Sequence, residues 1–221
     1  MEIASKIDHT LLKPEATEKD IVNLCHEAVK YGFASVCVNP IYVSTAARLL
    51  YGTIVAPTTV IGFPLGGVLT ETKVQEILAA KAHGAREVDS LINIGKVKSG
   101  AWNVVGRDIE TMVATAHNCG LKIKIIIETG LLDWEEIKKV TALINKAGAD
   151  YIKTSSGYFG GATVKVIKKL KEWAAPEVKI KASGGIRNRK TALELIRAGA
   201  DRIGTSSGIA LLSEGPEQDG E

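Results

Sequence analysis

Apolar residues occur along this chain in short runs that alternate with longer amphipathic stretches. The short runs are rich in β-branched residues, as buried strands are, whereas the longer stretches repeat apolar residues three and four positions apart, as helices do. The pattern predicts eight strands, which begin near Ile7, Ser35, Thr59, Glu87, Lys122, Tyr151, Lys179 and Arg202. A strand followed by a helix, repeated eight times, predicts an α/β fold, and its closed form is a single (β/α)8 TIM barrel.

Helix-capping residues support this division of the chain. Thr17, followed by acidic residues, predicts the start of a helix that Gly32 ends. Another helix is predicted from Thr70, with a buried face formed by Val74, Ile77, Leu78 and Ala82. An open doubly wound sheet is the alternative, but the first predicted strand is not followed by a Gly-x-Gly-x-x-Gly motif.

One segment type recurs three times, as a helix end, a glycine and a strand. The glycines are Gly84, Gly148 and Gly199, and each is followed by alanine and then by a predicted strand. A glycine here allows the left-handed conformation that ends a helix. Five positions past the glycines stand Asp89, Lys153 and Gly204. If the units superpose, these residues occupy equivalent places near the ends of their strands.

Composition fits one globular domain over residues 1–221, with the polar segment 213–221 expected to be frayed. The net charge is +3 and the basic residues are scattered, which argues against a nucleic-acid surface and suits a small anionic ligand. The three cysteines lack the spacing of a disulfide framework or a zinc site, so a cytoplasmic protein is expected. No run has the length of a membrane span, and we expect no membrane partner.

Two lysines end apolar runs on consecutive predicted strands. With neighbouring strands ~4.8 Å apart, the ammonium groups of Lys153 and Lys181 are expected to approach to roughly 6 Å. At an effective dielectric constant of ~20 this repulsion costs about 3 kcal/mol, or about two pKa units, and burial acts in the same direction. One lysine is then neutral at neutral pH and can attack a carbonyl to form an imine, with Asp89 assisting proton transfer. The alternative is that both lysines are solvated rim residues.

Two glycine-rich loops predict a phosphate site. They are Gly184-Gly185-Ile186-Arg187, after the seventh strand, and Gly204-Thr205-Ser206-Ser207-Gly208, which follows the eighth and is expected to lead into a short final helix. In TIM barrels the loops after these strands usually bind phosphate, through backbone N–H groups. Glycines let the backbone approach an anion, and Arg187 adds charge. Ordinary turn chemistry is the alternative explanation of each cluster.

Several other residues are expected near the ligand. Asp8 and Thr10 lie at the mouth of the barrel if the first strand is real, although a local turn hydrogen bond would also explain them. Strand parity directs Lys124 to the same inward face as Glu128. The remaining candidates are Cys37, near a strand end, and the small residues beside Lys153, namely Thr154, Ser156 and Gly157. A buried cysteine on a strand is more often a core residue.

The motifs in this order resemble the deoxyribose-phosphate aldolase family over nearly the whole chain. The matching motifs include Ile7-Asp8-His9-Thr10, Val36-Cys37-Val38-Asn39-Pro40, Glu87-Val88-Asp89, Ile152-Lys153-Thr154-Ser155, Lys181-Ala182-Ser183-Gly184-Gly185 and Ile203-Gly204-Thr205-Ser206-Ser207. The resemblance implies that Lys153 is the Schiff-base lysine, that Lys181 perturbs it, and that Asp89 belongs to the proton relay. It further implies that Asp8 orients substrate hydroxyls and that the two glycine loops hold the 5-phosphate.

The implied reaction is the reversible cleavage of 2-deoxy-D-ribose 5-phosphate to acetaldehyde and D-glyceraldehyde 3-phosphate, without a metal or organic cofactor. This would serve deoxyribose phosphate catabolism, and a homo-oligomer is expected. Departures from the family pattern at Ser90, Ser156 and Gly67-Val68-Leu69 leave pocket detail and substrate range open. The rival hypotheses are a phosphosugar isomerase or epimerase and a non-catalytic phosphate-binding barrel.

Overall fold

The computed structural model describes residues 3–212, so the predicted frayed segment 213–221 lies outside the described residues. Eight parallel strands pair in chain order, and the barrel closes where the last strand pairs with the first. The strands are β1 Ile7–Leu11, β2 Ser35–Val38, β3 Ala56–Ile61, β4 Glu87–Leu91, β5 Lys122–Ile126, β6 Tyr151–Lys153, β7 Lys179–Ser183 and β8 Arg202–Thr205. The predicted TIM barrel is therefore confirmed.

Helices connect the strands on the outside of the barrel. They are α1 Glu18–Tyr31, α2 Val43–Leu49, α3 Thr70–Ala82, α4 Ile94–Lys98, α5 Trp102–Asn118, α6 Trp134–Ala147, α7 Val164–Trp173 and α8 Arg189–Arg197. Thr17 caps α1 through a reciprocal bond pattern with Asp20, and Gly32 ends this helix at a φ of 67°. The three repeat glycines also have positive φ, and a strand begins three residues after each of them.

Seven strands begin at the predicted residue, and β3 begins three residues earlier than predicted, at Ala56 instead of Thr59. The added segment contains Pro57, which cannot donate a ladder hydrogen bond. Its carbonyl accepts a bond from the backbone N–H of Arg86, so its nitrogen also faces β4. Because β4 begins only at Glu87, no ladder donor is needed there.

The predicted buried face of α3 is partly wrong. Leu78 and Ala82 are exposed and Val74 is half-buried, and the buried positions of this helix are Lys73, Ile77 and Ala80. Lys73 is buried because its Nζ donates to Asp108 of α5 at 2.6 Å. A buried lysine with its own carboxylate partner thus occupies a place where hydrophobic periodicity predicts an apolar side chain.

A second correction concerns the chain after β8. Within the described residues, positions 208–212 form hydrogen-bonded turns rather than the predicted short helix. The backbone N–H of Leu211 bonds the carbonyls of Ser207 and Gly208, and that of Leu212 bonds Ile209. One of these bonds, from Leu211 to Ser207, spans four residues and the other two span three, so this segment lacks the consecutive four-residue bonds of an α-helix.

The hydrophobic core lies between the outer face of the barrel and the helices. Its members on the strands include Ile7, Val36, Val88, Ile123, Ile152 and Ile203. The alternate residues point into the barrel, and many of them are charged and buried. The interior of the barrel is therefore an ion-pair network, which a barrel can hold only if its charges are mutually satisfied. Within residues 3–212, no helix has both the length and the apolar character needed to cross a membrane.

Candidate active site

A cavity of about 290 Å³ opens at the carboxyl ends of the strands. Lys153, Ser183 and Thr205, which line it, are the last residues of β6, β7 and β8. This is the end of a TIM barrel at which active sites are built. The predicted residues that line the cavity are Thr10, Lys153, Ser156, Gly157, Gly184, Gly185, Ile186, Arg187, Gly204 and Ser206.

The other predicted site residues do not line the cavity. They are Asp8, Cys37, Asp89, Lys124, Thr154, Lys181 and Ser207. Asp89, Lys124 and Lys181 are fully buried. Thr154 is buried as well, and its hydroxyl donates to the carbonyl of Ser183. The buried charges are linked to the cavity through Lys153, which donates to Asp89.

Lys153 and Lys181 are neighbours, as predicted, because they are register partners of β6 and β7. The Nζ atoms of Lys153 and Lys181 donate to the same oxygen of Asp89, Oδ2, at 2.8 and 2.7 Å. Asp89 is on β4, so its carboxylate crosses the interior of the barrel to join them. Of the two lysines, only Lys153 lines the cavity.

The two lysines differ in the direction of their pKa shifts. Burial lowers the pKa of Lys153, and the Lys181 charge adds to this effect, although Asp89 opposes both. Burial also acts to lower the pKa of Lys181, but Asp8 and Asp89 outweigh it and raise the pKa above the ordinary lysine value. Lys153 is thus the group that releases its proton more readily, and Lys181 remains an ammonium.

Asp89 remains a carboxylate in this arrangement. Burial acts to raise its pKa, but Lys124, Lys153 and Lys181 together hold the pKa of Asp89 well below its ordinary value. Lys124 donates to its other oxygen, Oδ1, at 2.8 Å. The pKa of Lys124 is raised well above normal because Asp89, Glu87 and Asp8 outweigh the effect of burial.

A second layer of charges lies towards the amino-terminal end of the strands. Glu87 Oε2 is 2.6 Å from Lys124 Nζ, and its other oxygen is 3.4 Å from Arg202. Asp8 is held between Arg202, at 2.6 Å, and Lys181, at 2.5 Å. Asp8 is fully buried, does not line the cavity and makes ion pairs in this structure, and its expected contact with substrate hydroxyls stays a prediction.

The charges inside the barrel balance when one lysine is neutral. The carboxylates are Asp8, Glu87 and Asp89, and the basic side chains are Lys124, Lys153, Lys181 and Arg202. Unbalanced charge in a buried site is costly, so one of the four basic groups is favoured in its neutral form. Lys153 is the member whose pKa is lowered.

Gly204 makes room for Lys181. A Cβ atom at position 204 would lie 2.9 Å from Lys181 Cε and 3.0 Å from the Cβ of Ser183. The predicted phosphate-loop residue therefore also admits the lysine side chain to the interior. In the loop after β7, Gly184 and Gly185 have φ of 89° and 73°, a region that favours glycine.

Glu128 organises the loop that follows Lys153. It was predicted to share the inward face of Lys124, but β5 ends at Ile126 and Glu128 adopts a left-handed conformation, with φ of 54°. Its carboxylate accepts bonds from Ser155 Oγ at 2.8 Å and from the backbone N–H of Ser156 at 3.0 Å. Parity does not apply beyond the strand end, and the side chain faces the β6 loop instead.

Five lining residues were not among the predicted site residues. They are Leu11, Leu12, Lys13, Tyr158 and Ser183. Ser183 ends a strand that was correctly placed, so its position could have been predicted from the pattern. Leu12, Lys13 and Tyr158 lie on loops, whose course the pattern of apolar residues does not determine.

Cys37 faces the charged interior but is an inert thiol there. Burial, reinforced by the charge of Asp89, raises its pKa to about 11. The thiolate is the reactive form of cysteine, so the thiol is protonated and a poor nucleophile at neutral pH. Among residues 3–212, the histidine, cysteine and acidic side chains form no group of three or more that could hold a metal ion.

Comparison with known proteins agrees with this geometry. Residues 3–214 match the family described as DeoC/LacD family aldolase. The chain is 61% identical over 214 residues to deoxyribose-phosphate aldolase of Desulfitobacterium hafniense, covering 96% of this chain and 98% of the relative. It is 50% identical over 215 residues to the protein of that name from Thermococcus gammatolerans, covering 96% of each.

A solved structure shares both the fold and the sequence pattern. It is the tetrameric deoxyribose phosphate aldolase of Aeropyrum pernix, with a TM-score of 0.88 and 37% identity, covering 95% of this chain and 88% of that one. The resemblance read from the motifs is thereby confirmed. The chain belongs to the DeoC/LacD family of aldolases.

Proposed function

We propose that this chain reversibly cleaves 2-deoxy-D-ribose 5-phosphate to acetaldehyde and D-glyceraldehyde 3-phosphate through an imine on Lys153. One observation carries the proposal. Of the two lysines that donate to Asp89, the one that reaches the cavity, Lys153, is the one whose pKa is lowered. A neutral amine in a dry pocket is the nucleophile that imine formation needs.

The reaction proceeds through a protonated imine. Lys153 Nζ adds to the aldehyde carbon of the open-chain sugar and water leaves. The C3 hydroxyl then passes its proton through a water molecule to Asp89, the bond between C2 and C3 breaks, and the electron pair of that bond moves into the imine to give an enamine. Glyceraldehyde 3-phosphate departs, the same proton is returned to C2 of the enamine, and hydrolysis releases acetaldehyde and Lys153. The Lys181–Asp89–Lys153 hydrogen bonds give protons a path to the reacting nitrogen.

Product identity tests this proposal against other phosphosugar chemistry. Purified protein is incubated with 2-deoxy-D-ribose 5-phosphate, and acetaldehyde and glyceraldehyde 3-phosphate are measured separately. Both should appear in equal amounts. An isomerised or epimerised five-carbon phosphate as the only product would contradict the proposal, as would tight binding of the sugar phosphate with no product.

The phosphate is proposed to bind between the loops after β7 and β8. Gly185, Arg187 and Ser206 line the cavity there. Replacing the exposed Arg187 with glutamine should raise KM for the sugar phosphate about tenfold and leave kcat nearly unchanged, because a charge-assisted bond to the phosphate is lost. Steady-state kinetics checks this, and unphosphorylated deoxyribose is the control substrate. An equal rise in KM for both sugars would show that the arginine does not act on the phosphate.

Loss of the Lys181 charge should move the pH dependence of imine formation. In Lys181→Met, Lys153 keeps its carboxylate partner and loses its positive neighbour, so the pKa of Lys153 rises. Since only the neutral amine attacks, the rate of borohydride-trapped adduct formation should begin to rise at a higher pH than in the wild-type protein. Lys179→Met, at the exposed first residue of the same strand, is the control. An unchanged pH dependence of adduct formation in Lys181→Met would show that Lys181 does not lower the pKa of Lys153.

Two further properties belong to this proposal. A homo-oligomer is supported by the tetramer named for the Aeropyrum pernix relative. The cytoplasm is the proposed compartment, and the free thiols of Cys25, Cys37 and Cys119 suit its reducing conditions.

A further inference from the structure

Asp89 alone cannot decide which active-site lysine carries a proton. Lys153 and Lys181 donate to the same carboxylate oxygen at nearly equal distances, 2.8 and 2.7 Å. Equal hydrogen bonds to one carboxylate stabilise both ammonium forms to a similar extent. The difference between the two lysines must therefore come from another group.

Asp8 distinguishes the two lysines by contact. Its Oδ2 lies 2.5 Å from Lys181 Nζ, whereas Asp89 is the one carboxylate within 4.0 Å of Lys153 Nζ among the described residues. Arg202 donates to the other oxygen of Asp8 at 2.6 Å. This arrangement depends on closure of the barrel, because Asp8 is the register partner of Gly204, two residues beyond Arg202.

We propose that Asp8, anchored by Arg202, is the positioning residue that keeps Lys181 charged and thereby leaves Lys153 as the free amine. This inference rests on the proposed function and assigns Asp8 a role in it. Asp8 acts through Lys181 and does not touch the substrate, in agreement with its complete burial.

The other charged and titratable groups do not supply this preference. Lys124 disfavours charge on Lys181 and is bound to the opposite oxygen of Asp89. Glu87 pairs with Lys124 and Arg202 and contacts neither active-site lysine within 4.0 Å. The remaining groups that face the pair from β2, β6 and β8 are Cys37, Tyr151 and Arg202. None of these is an anion at neutral pH in its ordinary ionisation state, so none favours an ammonium on Lys181.

Asp8→Asn tests the proposal by its pH dependence. Once Lys181 loses its own carboxylate, the single ammonium charge beside Asp89 is shared between the two lysines, and the free-amine fraction of Lys153 falls to about one half. Trapping of the deoxyribose 5-phosphate imine by borohydride should be about twofold slower at neutral pH, the change that equal sharing of one proton produces. The rate should rise towards the wild-type value in alkali, where both amines are neutral. A purely structural defect would slow trapping equally at every pH.

Glu87→Gln is the matched control, because it removes another buried carboxylate from the same network without touching either lysine. The pH profile of its trapping rate should keep the wild-type shape. If the pH profile of Asp8→Asn also kept the wild-type shape, the inference would be overturned and the proposed function would stand. If the wild-type protein formed no adduct, the proposed function itself would be overturned.

A measurement on the unaltered protein covers the case in which Asp8→Asn does not fold. Nitrogen NMR of labelled lysine side chains, with signals assigned from Lys153→Met and Lys181→Met, separates amines from ammonium groups. The proposal requires an amine at Lys153 and an ammonium at Lys181 at neutral pH. The reverse distribution would overturn it.

Discussion

Lys153→Met is expected to abolish imine formation and to lower kcat/KM for the sugar phosphate by at least about 10⁴-fold, as removal of a covalent nucleophile does elsewhere. Methionine keeps the length and apolar stem of the side chain but cannot add to an aldehyde. The remaining charges inside the barrel still balance, since the residue lost is the neutral one. The fold should therefore persist, and binding of the sugar phosphate should change little.

Activity and binding must be measured together for this variant. Product formation is followed in a coupled assay, and binding of deoxyribose 5-phosphate is followed by calorimetry. Lys122→Met, an exposed lysine at the start of β5, is the control and should retain activity. Substantial cleavage by Lys153→Met would mean that the reaction does not pass through this lysine.

Asp89→Asn is expected to lower kcat by about 10²–10⁴-fold, the usual range for loss of a group that transfers protons. It should also lower the free energy of unfolding by about 3–5 kcal/mol at neutral pH, because the carboxylate shared by Lys124, Lys153 and Lys181 is removed while these buried groups remain. Steady-state kinetics and chemical denaturation measure the two effects.

Asp108→Asn separates the catalytic effect from the structural one. Asp108 is the partner of a buried lysine outside the barrel, Lys73, so its loss should destabilise the fold similarly. It lies between α3 and α5 and should leave kcat almost unchanged. If both variants lost activity in proportion to stability, Asp89 would have no separate role in the chemistry.

Much of this architecture follows from local sequence pattern. Seven of the eight strands begin at the predicted residue. The repeat glycines end helices at a fixed distance from the next strand, so Asp89, Lys153 and Gly204 all occupy the third position of their strands. That Lys153 and Lys181 meet follows from consecutive parallel strands alone. Local pattern failed at two residues. Pro57 lies within β3, although proline is unusual in a strand, and Lys73 is buried because Asp108, which is distant in the sequence, pairs with it.

The pairing of the buried charges could not be predicted from the sequence pattern. The pair between Asp8 and Arg202 joins residues 194 positions apart, and it forms only because the barrel closes. Inward direction was predictable from strand parity, but the partner of each charge depends on side-chain reach across the barrel. Asp89 illustrates this, because it bonds lysines of three other strands, β5, β6 and β7.

Borohydride trapping in the presence of 2-deoxy-D-ribose 5-phosphate, followed by peptide mapping, tests the central assignment most directly. One reduced adduct, on Lys153, should form in wild-type protein and be missing in Lys153→Met. A folded, active protein that yields no adduct, or an adduct on another lysine that persists in Lys153→Met, would contradict it.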